Sequence, residues 1–132
     1  MKDLIALLRS VGLQPTPQRL AVARFVLATS SHPTADQVLA RAREECPTLS
    51  RATVYNTLAR LAERGLVRLE TVRGGVVVFD AHTARHHHFI DDATGTIYDV
   101  PWEALSVSGE KALPDYDVRE YQVVLHGRRR RP

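Results

Sequence analysis

The chain has 132 residues, 44% of them hydrophobic and 25% charged, with a formal net charge of +3. That composition suits a soluble globular protein, either one ordinary domain or two very small ones that lean on each other. No apolar run approaches the ~18 residues of a membrane span, Asp3 and Arg9 interrupt anything like a signal-peptide core, and the single cysteine, Cys46, excludes an internal disulfide. A cytoplasmic protein without membrane contact is expected.

In chain order, Lys2 to Val11 reads as a helix with Leu4, Leu7, Leu8 and Val11 on one face, closed by Gly12. Thr16 and Pro17 then supply an N-cap and a first helical position for a second helix reaching about Thr29, with an apolar stripe of Leu20, Ala23, Val26 and Leu27. Thr34 and Gln37 make a capping box that opens a third helix to about Glu45. Ser50 caps a fourth, Arg51 to Arg64, with Val54, Leu58 and Leu61 inward and Arg51, Thr53, Tyr55, Asn56 and Arg60 outward. The β-prone runs Leu66–Val72 and Val76–Ala81, joined by Arg73-Gly74-Gly75, form a hairpin. Short helices followed by a hairpin give the order of a winged helix-turn-helix, whose last helix enters the major groove of DNA.

Charge divides along the same line. Residues 1–80 carry 11 Lys and Arg against 7 Asp and Glu, whereas residues 81–127 carry 3 against 8. A basic first part suits a polyanion and an acidic second part suits a cation. Arg128 to Arg131 add four positive charges, which a solvated chain end or an extra nucleic-acid contact would explain.

The second part opens with His86-His87-His88-Phe89-Ile90, turn residues Asp91 to Gly95, and Thr96-Ile97-Tyr98-Asp99, which together read as a tight hairpin. Strand side chains alternate, so His86 and His88 share one face and His87 takes the other. Asp99 on the returning strand lies within reach of the first pair, and two imidazoles with a carboxylate are most of a coordination shell. Beyond it, Pro101 to about Leu113 is expected to form one helix with Trp102 and Leu105 inward, and Val118 to Leu125 a further strand. These roughly 50 residues are too few to bury a core of their own, so a second copy is the simplest partner.

Taken together, Pro15-Thr16-Pro17-Gln18-Arg19, His32-Pro33-Thr34-Ala35, Ala52-Thr53-Val54-Tyr55-Asn56-Thr57-Leu58, Phe79-Asp80, His86 to Ile90, and Gly95-Thr96-Ile97-Tyr98-Asp99 resemble the ferric uptake regulator superfamily over residues 12–100. The resemblance implies an α+β chain with a winged-helix DNA-binding domain at 1–81 and a small α/β metal-binding dimerisation domain at 82–132. It implies a homodimer that binds palindromic double-stranded operator DNA when loaded with metal. The metal ligands it assigns are His32, Asp80, His86, His88 and Asp99, a set suited to Fe(II), Mn(II) or Zn(II). The operator contacts it assigns are Gln14, Arg19, Arg51, Thr53, Tyr55 and Asn56, although Gln14 stands where a basic residue is usual. His82 and His126 keep ordinary surface roles, and Tyr121 stands where relatives with a second metal site place a histidine, leaving His87 few obvious partners.

Two departures sharpen the expectation. Asp91 and Thr94 occupy the positions of a Cys-x-x-Cys pair that holds a structural zinc in most relatives, so no cysteine zinc is expected and the dimer domain must rely on apolar contacts. Asp80 and Asp99, where iron sensors usually carry glutamates, resemble the peroxide-stress branch. The reading is therefore a transcriptional repressor that senses peroxide through Fe(II)-catalysed oxidation of its histidine ligands, with iron, manganese or zinc sensing as the alternative. An enzyme, such as a metal-dependent hydrolase, would need a general base beside an open metal position, and no such base stands out.

Overall fold

The computed structural model describes residues 2–130, and the chain forms two compact units, Met1–Thr83 and Ala84–Pro132. The first unit holds helices α1 (Lys2–Ser10), α2 (Pro17–Ala28), α3 (Ala35–Glu45) and α4 (Arg51–Glu63), then strands β1 (Arg68–Thr71) and β2 (Val77–Asp80). Three of the helix starts have a chemical cause. Thr16 accepts from the Arg19 N–H, Ser50 from the Thr53 N–H, and Thr34 and Gln37 exchange the two bonds of a capping box. The wing is antiparallel, pairing Arg68 with Asp80 and Thr71 with Val77. Gly74 (φ 75°) and Gly75 (φ 77°) turn it through the left-handed region, where a side chain would be strained.

A single core fills this unit: Leu8, Val22, Val26, Val38, Leu49, Val54, Leu58, Leu61 and Val67 are all at most 2% exposed. The buried face of α2 is Ala21, Val22, Ala23 and Val26, so Ala21 and Val22 take places the sequence stripe gave to the half-buried Leu20 and Leu27. Small residues there let α3 and α4 pack closely against α2. Thr57 sits fully buried among them because its hydroxyl donates to the Thr53 carbonyl at 2.7 Å.

The second unit is a three-stranded sheet of order β4-β3-β5, from β3 (His86–Asp91), β4 (Ile97–Pro101) and β5 (Val124–Gly127). Strands β3 and β4 pair antiparallel with His88 opposite Asp99, while β5 runs parallel to β3 with His88 opposite Val124. Only Ile90 among the described apolar side chains of this unit is buried, whereas Leu113, Tyr116, Val118 and Val124 are exposed.

The α+β architecture is the expected one, but two elements differ. The helix expected over Pro101–Leu113 is replaced by single 3-10 turns at Trp102–Ala104 and Glu110–Ala112. Pro101 extends β4 opposite His86, Leu105 is extended, and Ser106, Ser108 and the left-handed Gly109 (φ 94°) are poor helix formers. The strand expected at Val118–Leu125 shrinks and shifts to Val124–Gly127. The His87 ring accepts the Val123 N–H at 3.0 Å and the Gln122 amide donates to the His86 carbonyl, so side chains replace the ladder just before it.

Candidate functional site

In the first unit, the loop before α3 is tied to the end of the wing by one backbone bond, Phe79 N–H to the Pro33 carbonyl at 2.8 Å. That bond sets His32 beside Asp80, with Nε2 3.2 Å from Oδ2 and both side chains almost fully buried. The other carboxylate oxygen of Asp80 accepts the His82 N–H at 2.8 Å, which fixes its rotation and gives His82 a supporting role through its backbone.

In the second unit, His86 donates from Nδ1 to the Ala84 carbonyl at 2.6 Å, which places its lone pair on Nε2, the nitrogen turned toward His88 and Asp99. His86 Nε2 and His88 Nε2 lie 3.1 Å apart, and Asp99 Oδ1 stands 3.5 and 3.6 Å from them. Those separations suit donors each about 2.1 Å from a shared centre at angles of roughly 90–120°. The candidate donors in each unit are all imidazoles or carboxylates, a chemistry that suits borderline divalent cations rather than soft ones.

His87 faces the opposite side of β3. It is fully buried, accepts from Val123, and stacks on Trp102 with centroids 4.6 Å apart. Trp102 also meets Tyr121 at 4.7 Å and carries the Arg85 guanidinium over its ring. The partners that the sequence left open for His87 are therefore aromatic, and the signal was Trp102 and Tyr121 themselves. His126 lies at the surface 3.7 Å from Asp92.

The outer face of α4 presents Tyr55, 47% exposed, and Asn56. Arg51 is joined to Asp36 on α3. The hydrogen bond that Arg51 donates to Asp36, with smaller help from the Asp36 charge and from Tyr55, pushes the Arg51 guanidinium above its ordinary value, so it stays charged. Thr53 is tied into the helix start, accepting from the Ser50 hydroxyl at 2.9 Å. Arg19 donates to the Gln14 carbonyl at 3.1 Å, which places these two candidate contacts together ahead of α2. One feature was not read from the sequence: a groove of about 850 Å³ between α4 and the wing, lined by Tyr55, Ala59, Ala62, Leu69, Val76 and Val77 among others. Consecutive valines at the start of β2 were its only trace.

The pattern of the ferric uptake regulator family matches residues 10–126. The chain is 32% identical over 129 residues to a peroxide-responsive repressor of Staphylococcus aureus (strain Mu50 / ATCC 700699), covering 96% of this chain and 87% of the relative. It is 33% identical to the peroxide-responsive repressor of Staphylococcus epidermidis (strain ATCC 12228 / FDA PCI 1200), covering 96% and 86%. Its fold is similar to that of a zinc-bound manganese uptake regulator, with a TM-score of 0.70, 22% identity, and 96% and 98% of the two chains covered.

Proposed function

This chain belongs to the ferric uptake regulator family, and from that membership we propose that it is a metal-dependent transcriptional repressor whose co-activating ion is held by His32, Asp80, His86, His88 and Asp99. The observation that carries the reading is the division of donors: His32 and Asp80 form a buried pair in the first unit, and His86, His88 and Asp99 a converging trio in the second. Neither set alone completes the four to six ligands that Fe(II), Mn(II) or Zn(II) takes.

One ion shared by both sets couples metal loading to DNA binding. The first unit, residues 1–81 in functional terms, carries the operator contacts Tyr55, Asn56, Arg51, Thr53, Arg19 and Gln14; the second, residues 82–132, carries dimerisation. A homodimer is supported by the second unit's poverty of core: one buried apolar side chain among its described residues, beside exposed Leu113, Tyr116, Val118 and Val124, leaves apolar surface for a second copy. Two recognition helices must reach major grooves about one helical turn, ~34 Å, apart on a palindromic operator. Fixing the angle between the units therefore sets operator affinity, and the ligands act as the clasp.

We further propose that the signal is peroxide, as the names of the staphylococcal relatives support. Bound Fe(II) would supply the electrons that convert peroxide into an oxidant beside the imidazoles. His32, His86 and His88 are the oxidisable groups of the donor set, and oxygen added to an imidazole weakens its donation and opens the clasp. No helix among the described residues is long and apolar enough to cross a membrane; a DNA-bound protein in the cytoplasm needs none.

The test is an operator selected from random duplexes with Mn(II)-loaded protein, then titrated with wild type, His32→Ala and His86→Ala. Metal-dependent binding by wild type, lost in both variants, is the expected result. Binding that ignores metal, or that survives either substitution unchanged, sinks the shared-ion reading.

A further inference from the structure

Strand β4, which carries Asp99, is an edge strand, bonded only to β3 among the described strands. Edge strands fray more readily than central ones because one row of backbone groups has no ladder partner. Yet Asp99 has to hold its carboxylate where His86 and His88 converge. What steadies β4 comes from the far side of the sheet. After β5 the chain leaves at Gly127, where a Cβ would stand 3.5 Å from the Phe89 ring, and the Gly127 carbonyl accepts the Asp92 N–H at 2.8 Å. The Arg129 N–H then donates to Asp91 Oδ2 at 3.4 Å, and the Arg129 guanidinium lies over the Tyr98 ring, 4.6 Å from its centroid. Tyr98 immediately precedes Asp99 and pairs across β3 with Phe89.

Asp91 is the fixed end of this arrangement. Its backbone closes the hairpin through Thr96 and Gly95, and its other carboxylate oxygen takes the Ala93 N–H at 2.8 Å. Those amide bonds hold the carboxyl below its ordinary value, with the Arg128 charge adding to them. The segment from β5 thus crosses the face of the sheet and ends on the edge strand.

We propose that Arg129, anchored by Asp91 and laid over Tyr98, is a positioning residue for Asp99, strapping the edge strand to the body of the sheet. The inference rests on the metal-ligand reading above for its consequence, but not for its geometry. It also makes a prediction opposite in sign to simple charge. Tyr98 and Asp99 line a cleft of about 530 Å³ with Phe89, Arg128, Arg129 and Arg130. By Coulomb's law alone, removing an arginine from that cleft strengthens cation binding; removing a strap weakens it.

The experiment uses the full-length chain with four substitutions: Arg129→Ala, Arg129→Lys, Arg130→Ala and Asp99→Ala. Amide hydrogen exchange of the metal-free protein is read at β4, and Mn(II) affinity by calorimetry. Arg129→Ala and Arg129→Lys should speed exchange at β4 and weaken Mn(II) by roughly two- to fivefold, the ratio an exposed cation–π contact carries. Lysine keeps the charge but not the flat guanidinium stack. Arg130→Ala should leave β4 exchange unchanged and bind Mn(II) as wild type or slightly tighter. Unchanged β4 exchange in Arg129→Ala overturns the strap, as does Mn(II) affinity that stays level or rises in that variant. Failure of the metal reading is separately visible, because Asp99→Ala would then bind Mn(II) like wild type while the exchange result still decides the strap.

Discussion

Arg51, at the first turn of the recognition helix, is ion-paired to Asp36, at the first turn of α3, before any DNA arrives. The operator contact proposed for Arg51 would therefore compete with a carboxylate on its own surface. Exposed pairs of this kind are worth about 0.2–1 kcal/mol. Asp36→Asn should raise operator affinity by up to about fivefold and steepen its salt dependence by about 0.9 in log–log slope, one additional phosphate contact. Equal affinity and slope would mean that Arg51 does not reach the DNA.

Tyr55, exposed on the same face, also interacts with Arg51, so its substitution is read beside that of Asp36. Tyr55→Ala should cost about 1–3 kcal/mol of operator binding while leaving Mn(II) affinity unchanged, measured by fluorescence anisotropy and calorimetry on one preparation. Undiminished operator binding would remove Tyr55 from the interface.

Chelation should separate the two assemblies. With the one described cysteine on the C-cap of α3, the second unit is held by hydrogen bonds such as those of Asp91 and by its apolar surface, not by a thiolate metal knot. EDTA should thus abolish operator binding while sedimentation still reports a dimer. Monomers in EDTA would show that a metal ion holds the copies together.

The pH dependence follows from Asp91. Its carboxyl is held below its ordinary value, chiefly by the Ala93 amide. The native state thus favours the charged form, so the stabilisation is complete above the unfolded value of ~3.9 and disappears as pH falls through the lower folded value. The destabilisation caused by Asp91→Asn should be largest at neutral pH and shrink below about pH 4, followed by urea midpoints of metal-free protein. A pH-independent difference would assign the loss to packing.

Peroxide is tested by loading one preparation with Fe(II) and another with Mn(II), exposing both to low peroxide and mapping added oxygen by peptide mass spectrometry. Oxygen should enter His32, His86 or His88 of the Fe(II) form only, with release of its operator. An Fe(II) form that stays unmodified and DNA-bound makes plain metal-level sensing the better reading.

Local chemistry made most of this fold legible. Thr16, Thr34 and Ser50 announce three helix starts, and the alternation of His86, His87 and His88 predicts their opposite faces, as the register of β3 with β4 bears out. What was not legible depends on long-range packing. The spacing of Trp102 and Leu105 suits a helix, but a stack on His87 outweighs the weak helix propensity of a Ser-Gly segment. Nothing local in Val118–Val123 shows that His87 and His86 engage Val123 and Gln122 where a ladder would begin. The Arg128–Arg131 run suits a solvated end or an extra nucleic-acid contact; Arg131 lies outside the described residues, and Arg129 is found over Tyr98, about 30 residues away in sequence and invisible to any windowed pattern.

The parallel pairing of β3 with β5 also sets an order of events during synthesis. Helices and hairpins of the first unit close over short stretches of chain, and β3 meets β4 across a turn of five residues, Asp92 to Thr96. His88 waits for Val124, 36 residues downstream, before its second flank is covered. Closing so long a loop is slow compared with forming helices, and vectorial emergence from the ribosome delays it further. A nascent chain therefore has its recognition helix folded while the histidine strand is still open on one side, so apprenticeship to DNA precedes competence to sense, and a chain truncated before residue 124 should be a binding module without a finished sensor.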